Sequence, residues 1–351
     1  MNIYLLEFII LAFNVVISHS LNEKQKKAVF IISCVQLFLL GALRDPYDMN
    51  WQDTLTYITH FKWNEDKDLF TLIFRRSGGD WEPGIDIVAK LISFVSKDYQ
   101  AYIIGLELLI MLPRFWIMYR YCSRPVLALF IYYAMGQLST TSAYRAALAM
   151  SCTFIAYKYA GERKAFRFFL WIVIGFLFHQ SALVFAAAYF IYYLKPTPAL
   201  VTSAIVASGI LFFFSGRIIQ FLSAFMRNEY GEESRGGYVL MAILWVILIV
   251  GFIYCRDQFS NPDFRFQYML VAVSAVLQPM TFSVAIFSRL IRFFLFYMYL
   301  LMPRIVDRFE NASAINRRFA ILIEFGFIGL MFVFFLTTGN IRDYAPFWAA
   351  G

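Results

Sequence analysis

Charge is scarce in this 351-residue chain: only 15% of its residues are Asp, Glu, Lys or Arg, where a soluble domain has about a quarter. Histidine and cysteine are scarcer still, with 3 His and 4 Cys. The cysteines, Cys34, Cys122, Cys152 and Cys255, show no CxxC spacing and no His partners, so neither a zinc site nor a disulfide framework is expected. GxxxxGK[ST], HExxH and GxSxG are all absent. ATP-driven transport, zinc hydrolysis and an α/β-hydrolase serine are therefore disfavoured. No repeat, low-complexity run or soluble domain interrupts the chain. The first apolar run ends in a polar loop without a small-residue cleavage site, so no removable signal peptide is expected.

What is present is apolar: 61% of residues are hydrophobic, including 40 Phe and 22 Tyr. Apolar runs recur from end to end, which predicts an all-α, polytopic integral membrane protein forming one domain over residues 1–351. Twelve membrane helices are expected, at 3–18, 28–43, 100–119, 126–139, 146–159, 168–179, 182–194, 199–215, 238–254, 267–285, 288–302 and 319–336. Several are shorter than the roughly 20 residues of a straight span. The stretch 168–194 reads either as one tilted helix or as two short helices meeting at His179-Gln180-Ser181.

Lys and Arg in short loops set the orientation. With the N-terminus outside, the inner loops hold 16 basic residues against six acids, and the outer segments 14 against 14. Reading 168–194 as one span would move Arg304, Arg308, Arg317 and Arg318 outside, so the hairpin is preferred. Cys122 and Cys255 then lie in a reducing compartment. Two extracytoplasmic segments are long, 44–98 and 216–237. Within the first, Ile85, Val88, Leu91, Ile92 and Val95 recur at helical spacing opposite Asp86, Lys90 and Lys97, which predicts an amphipathic helix lying in the outer interface. The +8 net charge is spread over many loops; it reads as topology signal and anionic-lipid contact, with no nucleic-acid partner.

The candidate chemistry collects at outer helix ends. Arg44 follows the second helix, and Asp53 and Tyr57 lie just beyond it. Arg145 sits between the fourth and fifth helices, His179 between the sixth and seventh. Arg289 and Arg292 open the eleventh and share a face three residues apart. Charges at membrane depth are costly and usually line polar cavities, and Arg forks match phosphate oxygens bidentately. Several Arg at one membrane face suggest a lipid diphosphate. The plainer reading is that each Arg snorkels to headgroups, that His179 is a hydrogen-bonded packing residue, and that Asp53 and Glu82 are solvated loop carboxylates. Either carboxylate, or His179, could instead take a proton from a sugar hydroxyl. Asp66-Lys67-Asp68 imitates a nucleotide-sugar motif but falls outside. Glu107 and Arg114, seven apart on the third helix, read as a buried polar lock and a snorkelling cation.

In this order the landmarks resemble the EpsG/Wzy family of polysaccharide repeat-unit polymerases. Arg44 stands for the family's Arg after an early helix, and Asp53-Thr-Leu-Thr-Tyr57 for part of its Gly-Thr-Asp-Tyr and downstream Tyr. Glu82-Pro-Gly84 matches a Glu before a Gly-containing turn, and Arg145-Ala-Ala-Leu-Ala149 an Arg before small residues. His179-Gln-Ser-Ala-Leu183 matches a His before a small-apolar helix, and Arg289-Leu-Ile-Arg-Phe-Phe294 an Arg opening an aromatic helix. Trp51-Gln52 replaces Gly-Thr, and Ala146 stands where Gln is common; both bear on how an acceptor sugar is held.

The resemblance implies a GT-C-like, O-antigen ligase-like fold in the bacterial cytoplasmic membrane with an outward-facing site. It implies undecaprenyl-diphosphate-linked oligosaccharides as substrates, a chain-length-regulating membrane protein as partner, and neither cofactor nor metal. The expected reaction is inverting transfer of a lipid-linked glycan to build O-antigen, capsule or exopolysaccharide. Asp53, His179 or Glu82 would serve as base, and Arg44, Tyr57, Arg145, Arg289 and Arg292 as substrate contacts. An O-antigen ligase-like transferase and a non-enzymatic flippase are the rival classes.

Overall fold

Side-chain caps set several helix starts. Asn2 accepts from the Tyr4 N–H, Asn22 and Gln25 form a reciprocal capping box, and Asp98 accepts from the Gln100 N–H. Asn261 caps Asp263 and Phe264. Each cap satisfies backbone donors that the first turn leaves without partners. The structure, a computed structural model, describes residues 2–45, 53–74, 82–138, 141, 143–223, 237–283, 285–312, 317–337, 346 and 348. Trp51-Gln52, the Ser77–Trp81 turn, most of Ser139–Ser142 and the charged stretch from Arg227 to Arg235 fall outside these residues.

In chain order the helices are α1 (Ile3–Ser18), α2 (Glu23–Ala42), α3 (Thr54–Asn64), α4 (Leu69–Phe74), α5 (Gly84–Ser93), α6 (Tyr99–Tyr121), α7 (Pro125–Ala134) and α8 (Tyr144–Gly161). There follow α9 (Ala165–Phe178), a 3₁₀ segment Gln180–Ala187, α10 (Ala188–Ile191), α11 (Pro198–Ser223) and α12 (Tyr238–Tyr254). The last are α13 (Pro262–Leu277), a 3₁₀ turn Gln278–Phe282, α14 (Ala285–Leu295), α15 (Tyr297–Ala312) and α16 (Arg317–Thr337). Among the described residues the only β feature is an isolated bridge between Arg44 and Pro346.

By length and composition α2, α6 and the Pro198–Arg217 part of α11 can each cross a bilayer. Six shorter apolar helices accompany them, and the chain is a helical membrane protein. The centre is built from the helices that are apolar all round: every residue of α7 from Val126 to Ala134 is buried, as a helix with no polar face must be. Aromatic rings join the parts. Phe154 of α8 meets Phe296 at 4.2 Å. Tyr157 stacks on both Phe266 and Tyr297 at 4.8 Å, tying α8 to α13 and α15. Such pairs add about 0.5–1.5 kcal/mol each beyond their buried area.

The structure resolves the 168–194 ambiguity. His179 has extended dihedrals (φ −159°, ψ 129°) and ends α9. Phe168 and Tyr189, 21 positions apart, stand 5.2 Å ring to ring; a straight helix would hold them about 30 Å apart. The chain reverses at His179.

Three expectations are corrected. The amphipathic helix exists as α5, but Ile85, Val88 and Ala89 are buried within the protein, and only Leu91, Phe94 and Val95 remain exposed. The first half of its apolar stripe packs inward, where α3, α4, α6 and α9 all close on the helix. Arg114 does not snorkel: it is buried and donates to the Ile110 carbonyl at 3.1 Å, a partner one helical turn away. The eleventh expected helix is broken at Phe296 into α14 and α15.

Candidate active site

Five separate parts of the chain converge on one cavity of about 300 Å³. From α3 and its N-cap come Asp53, Thr56, Tyr57 and His60, spaced three to four apart on one face. Glu82, Pro83, Ile85 and Asp86 come from the start of α5. Ala143 and Arg145 come from the start of α8, His179 from the reversal after α9, and Arg289 and Arg292 from α14.

Glu82 is the hub. Its side chain is only 5% exposed, and both oxygens are engaged. Oε2 accepts from Arg145 Nη1 at 2.8 Å. Oε1 accepts from the Gln180 backbone N–H at 3.0 Å and lies 3.1 Å from His179 Nδ1. That ring nitrogen must carry the proton, since two lone pairs facing at this distance would repel. The Ser181 N–H, 3.5 Å from the same nitrogen, is too far to compete. His179 is thereby held with Nδ1–H on Glu82 and Nε2 available as an acceptor. Burial pushes the Glu82 carboxyl up, but the His179 and Gln180 hydrogen bonds and the charges of His179 and Arg145 outweigh it and hold the group below its ordinary value. Glu82 is a fixed anion, committed as an acceptor.

Gly84 allows this assembly. A Cβ there would lie 2.7 Å from a Phe178 ring carbon and 2.9 Å from the Leu177 carbonyl oxygen. Only a residue without a side chain lets α5 start against the end of α9, which brings Glu82 to His179.

The cations divide in two. Arg145 is partly neutralised by Glu82. Arg289 and Arg292 have no carboxylate partner among the described residues, although both line the cavity. Two guanidinium groups thus stand one helical turn apart at the cavity, in a fork geometry that suits phosphate oxygens.

The EpsG family model matches residues 27–347. The chain belongs to the EpsG family. No curated protein and no solved structure matches it. In this EpsG-family chain, Asp53, Tyr57, Glu82, Arg145, His179, Arg289 and Arg292 share the one cavity.

Arg44 does not line it. This side chain is wholly buried behind the cavity wall, donating to Glu107 Oε1 and to the Gly41 carbonyl, each at 2.6 Å, and to the Tyr144 hydroxyl. Thr141 Oγ1 donates to the same Glu107 oxygen at 2.9 Å. Glu107 is thus a buried lock, as expected, and its partner is Arg44, two residues past the end of α2. Tyr144 in turn meets Tyr57 edge-on at 5.1 Å and directly precedes Arg145. Arg44 reaches the EpsG cavity only through these neighbours. His60 and Asp86 were missed as lining residues. The signal for His60 was the three-to-four spacing from Asp53 through Tyr57, visible once 54–64 is read as a helix; Asp86 stands one helical turn after Glu82.

Proposed function

We propose that this EpsG-family chain is a membrane glycosyltransferase that joins undecaprenyl-diphosphate-linked oligosaccharide repeat units into surface polysaccharide. It would act at the outer face of the bacterial cytoplasmic membrane, on a twelve-span, GT-C-like scaffold. The observation that carries the reading is the cavity itself, where Arg289 and Arg292 lie in the same space as a carboxylate-oriented histidine.

Arg289 and Arg292 hold the diphosphate of the donor, and Arg145, kept in place by Glu82, borders it. A hydroxyl of the acceptor glycan attacks the anomeric carbon of the donor. Its proton passes to His179 Nε2, the new C–O bond forms, and the bond from the anomeric carbon to the diphosphate oxygen breaks. Undecaprenyl diphosphate leaves with both bonding electrons, its growing charge met by the two guanidinium groups. Glu82 fixes the imidazole and balances the imidazolium. A single displacement inverts the anomeric carbon. The donor set favours His179 over Asp53 as base, since Glu82 orients the ring and nothing comparable orients Asp53 among the described residues. As the exposed N-cap of α3, Asp53 makes no capping bond and suits an acceptor-sugar contact with Tyr57.

Purified protein supplied with a lipid-linked repeat unit should yield a ladder of lipid-linked oligomers with inverted linkages. A deletion strain should accumulate single-repeat lipid-linked units. Accumulation of full-length lipid-linked polymer would make the chain a ligase instead, and the absence of any transfer by the purified protein would favour a transporter.

A further inference from the structure

A second cavity of about 380 Å³ opens at the other end of the bundle. It is lined by the α1–α2 turn, the end of α6, the link into α7, and α15. The first cavity borders the opposite ends of α3, α5, α8 and α14, beyond the Arg44 end of α2. The 20 residues of α2 separate the two by about 30 Å, the thickness of a hydrocarbon core.

Its charges are arranged. Asp307 accepts from Ser123 Oγ at 2.5 Å and lies 3.6 Å from Arg124. Arg124 also donates to His19 Nε2 at 2.7 Å, so its guanidinium is fixed from two sides. The second acid, Glu23, is taken by Lys26 at 2.9 Å. Both carboxylates in the lining are therefore engaged. Lys27, 5.7 Å above the Tyr119 ring, has no carboxylate partner among the described residues. The floor is apolar: Phe30 and Val126 are buried, and Phe30 stacks on Tyr119 at 5.6 Å. Beyond the rim, exposed Ile31 of α2 with Leu112 and Trp116 of α6 continue an apolar track along the bundle.

We infer that this cavity binds the phosphate headgroup of an anionic phospholipid in the leaflet opposite the candidate active site. Arg124 and Lys27 take the phosphate oxygens. Phe30 and Tyr119 take the glycerol end, and the acyl chains follow the exposed apolar track. A soluble phosphate would use the cations and leave the floor and track without a role. This inference stands apart from the transfer reaction and does not depend on it.

Native mass spectrometry of the whole protein, offered phosphatidylglycerol and phosphatidylcholine together, tests it. The wild type should retain phosphatidylglycerol selectively. Lys27→Gln should lower that retention about fivefold, as expected for about 1 kcal/mol per cation at a membrane surface, and adding Arg124→Gln should lower it further. Lys27 is exposed, so its replacement leaves the packing intact, and an unchanged melting curve confirms this. Lys62→Gln, at the other end, should leave retention unchanged. Equal retention by wild type and Lys27→Gln, or equal retention of both lipids, overturns the proposal. Displacement of the lipid by millimolar inorganic phosphate also overturns it, in favour of a soluble phosphate ligand.

Discussion

Arg44 and Glu107, 63 positions apart, meet at 2.6 Å with neither side chain exposed to solvent. Removing one partner of a buried pair strands the other charge and costs about 3–5 kcal/mol. Glu107→Leu alone should therefore melt far below wild type in detergent. Glu107→Leu with Arg44→Met should recover part of the loss, since an apolar pair leaves no stranded charge. If the double variant is no more stable than Glu107→Leu, the pair is not the lock described here.

His179→Gln should reduce turnover by roughly 10²–10⁴ with KM little changed, as expected when a general base is removed. Asp53→Asn should act mainly on KM. Steady-state kinetics on a lipid-linked repeat unit separate the two, and the opposite pattern would hand the role of base to Asp53.

Arg289→Lys and Arg292→Lys keep the charge and lose the planar fork. Each should depress kcat/KM strongly. Arg304→Lys is the control: Arg304 donates to the Tyr121 carbonyl at 3.1 Å, away from the cavity, and its change should be nearly silent. Equal losses at all three positions would remove the case for a diphosphate at Arg289 and Arg292.

Gly84→Ala must push α5 away from the Leu177 carbonyl, because a backbone oxygen cannot swing aside as a side chain can. Overpacking of this kind costs about 1–3 kcal/mol, and the displacement draws Glu82 off His179, so turnover should fall as well. Gly209→Ala on α11, where a new Cβ meets nothing within 4 Å, should be neutral or slightly stabilising. Comparison of melting temperature and turnover in the two variants checks this.

Glu82 carries the pH dependence. Its carboxyl is held below its ordinary value in the folded protein, so its contacts stabilise the fold above the ordinary carboxylate pKa. That stability is lost as pH falls through the depressed value. Melting curves in acid should show the wild type losing its advantage over Glu82→Gln. Parallel curves for the two would contradict the Glu82–His179–Arg145 arrangement.

Much of this was readable in the sequence where periodicity is strong. The apolar runs marked most of the helices, and the inner-loop Arg count favoured the reversal at His179 over a single span. The site was readable because Arg and His are conspicuous in apolar surroundings: Arg145, His179, Arg289 and Arg292 all came out as lining residues. What failed was partner assignment. Arg44 was read as a substrate contact because it follows a helix end, but a sequence does not show that Glu107 and Tyr144 close around it. Helices α3 and α4 were read as part of a long outer segment, since they are short, and His60 was overlooked with them; Asp86 was read only as the polar side of α5. Glu82 was read as one of three candidate bases without its surroundings, because its three hydrogen-bonding partners come from positions as far away as Gln180.

The order in which the chain is made bears on when the cavity can act. The Glu82–Arg145–His179 cluster can close once the chain up to Gln180, a little over half of it, has been inserted into the membrane. The Arg289 and Arg292 guanidinium groups arrive only with α14, in the last fifth of the chain. Until then a nascent protein has an oriented imidazole but neither Arg289 nor Arg292, so a stalled or truncated product would lack the groups that the proposed function assigns to the diphosphate.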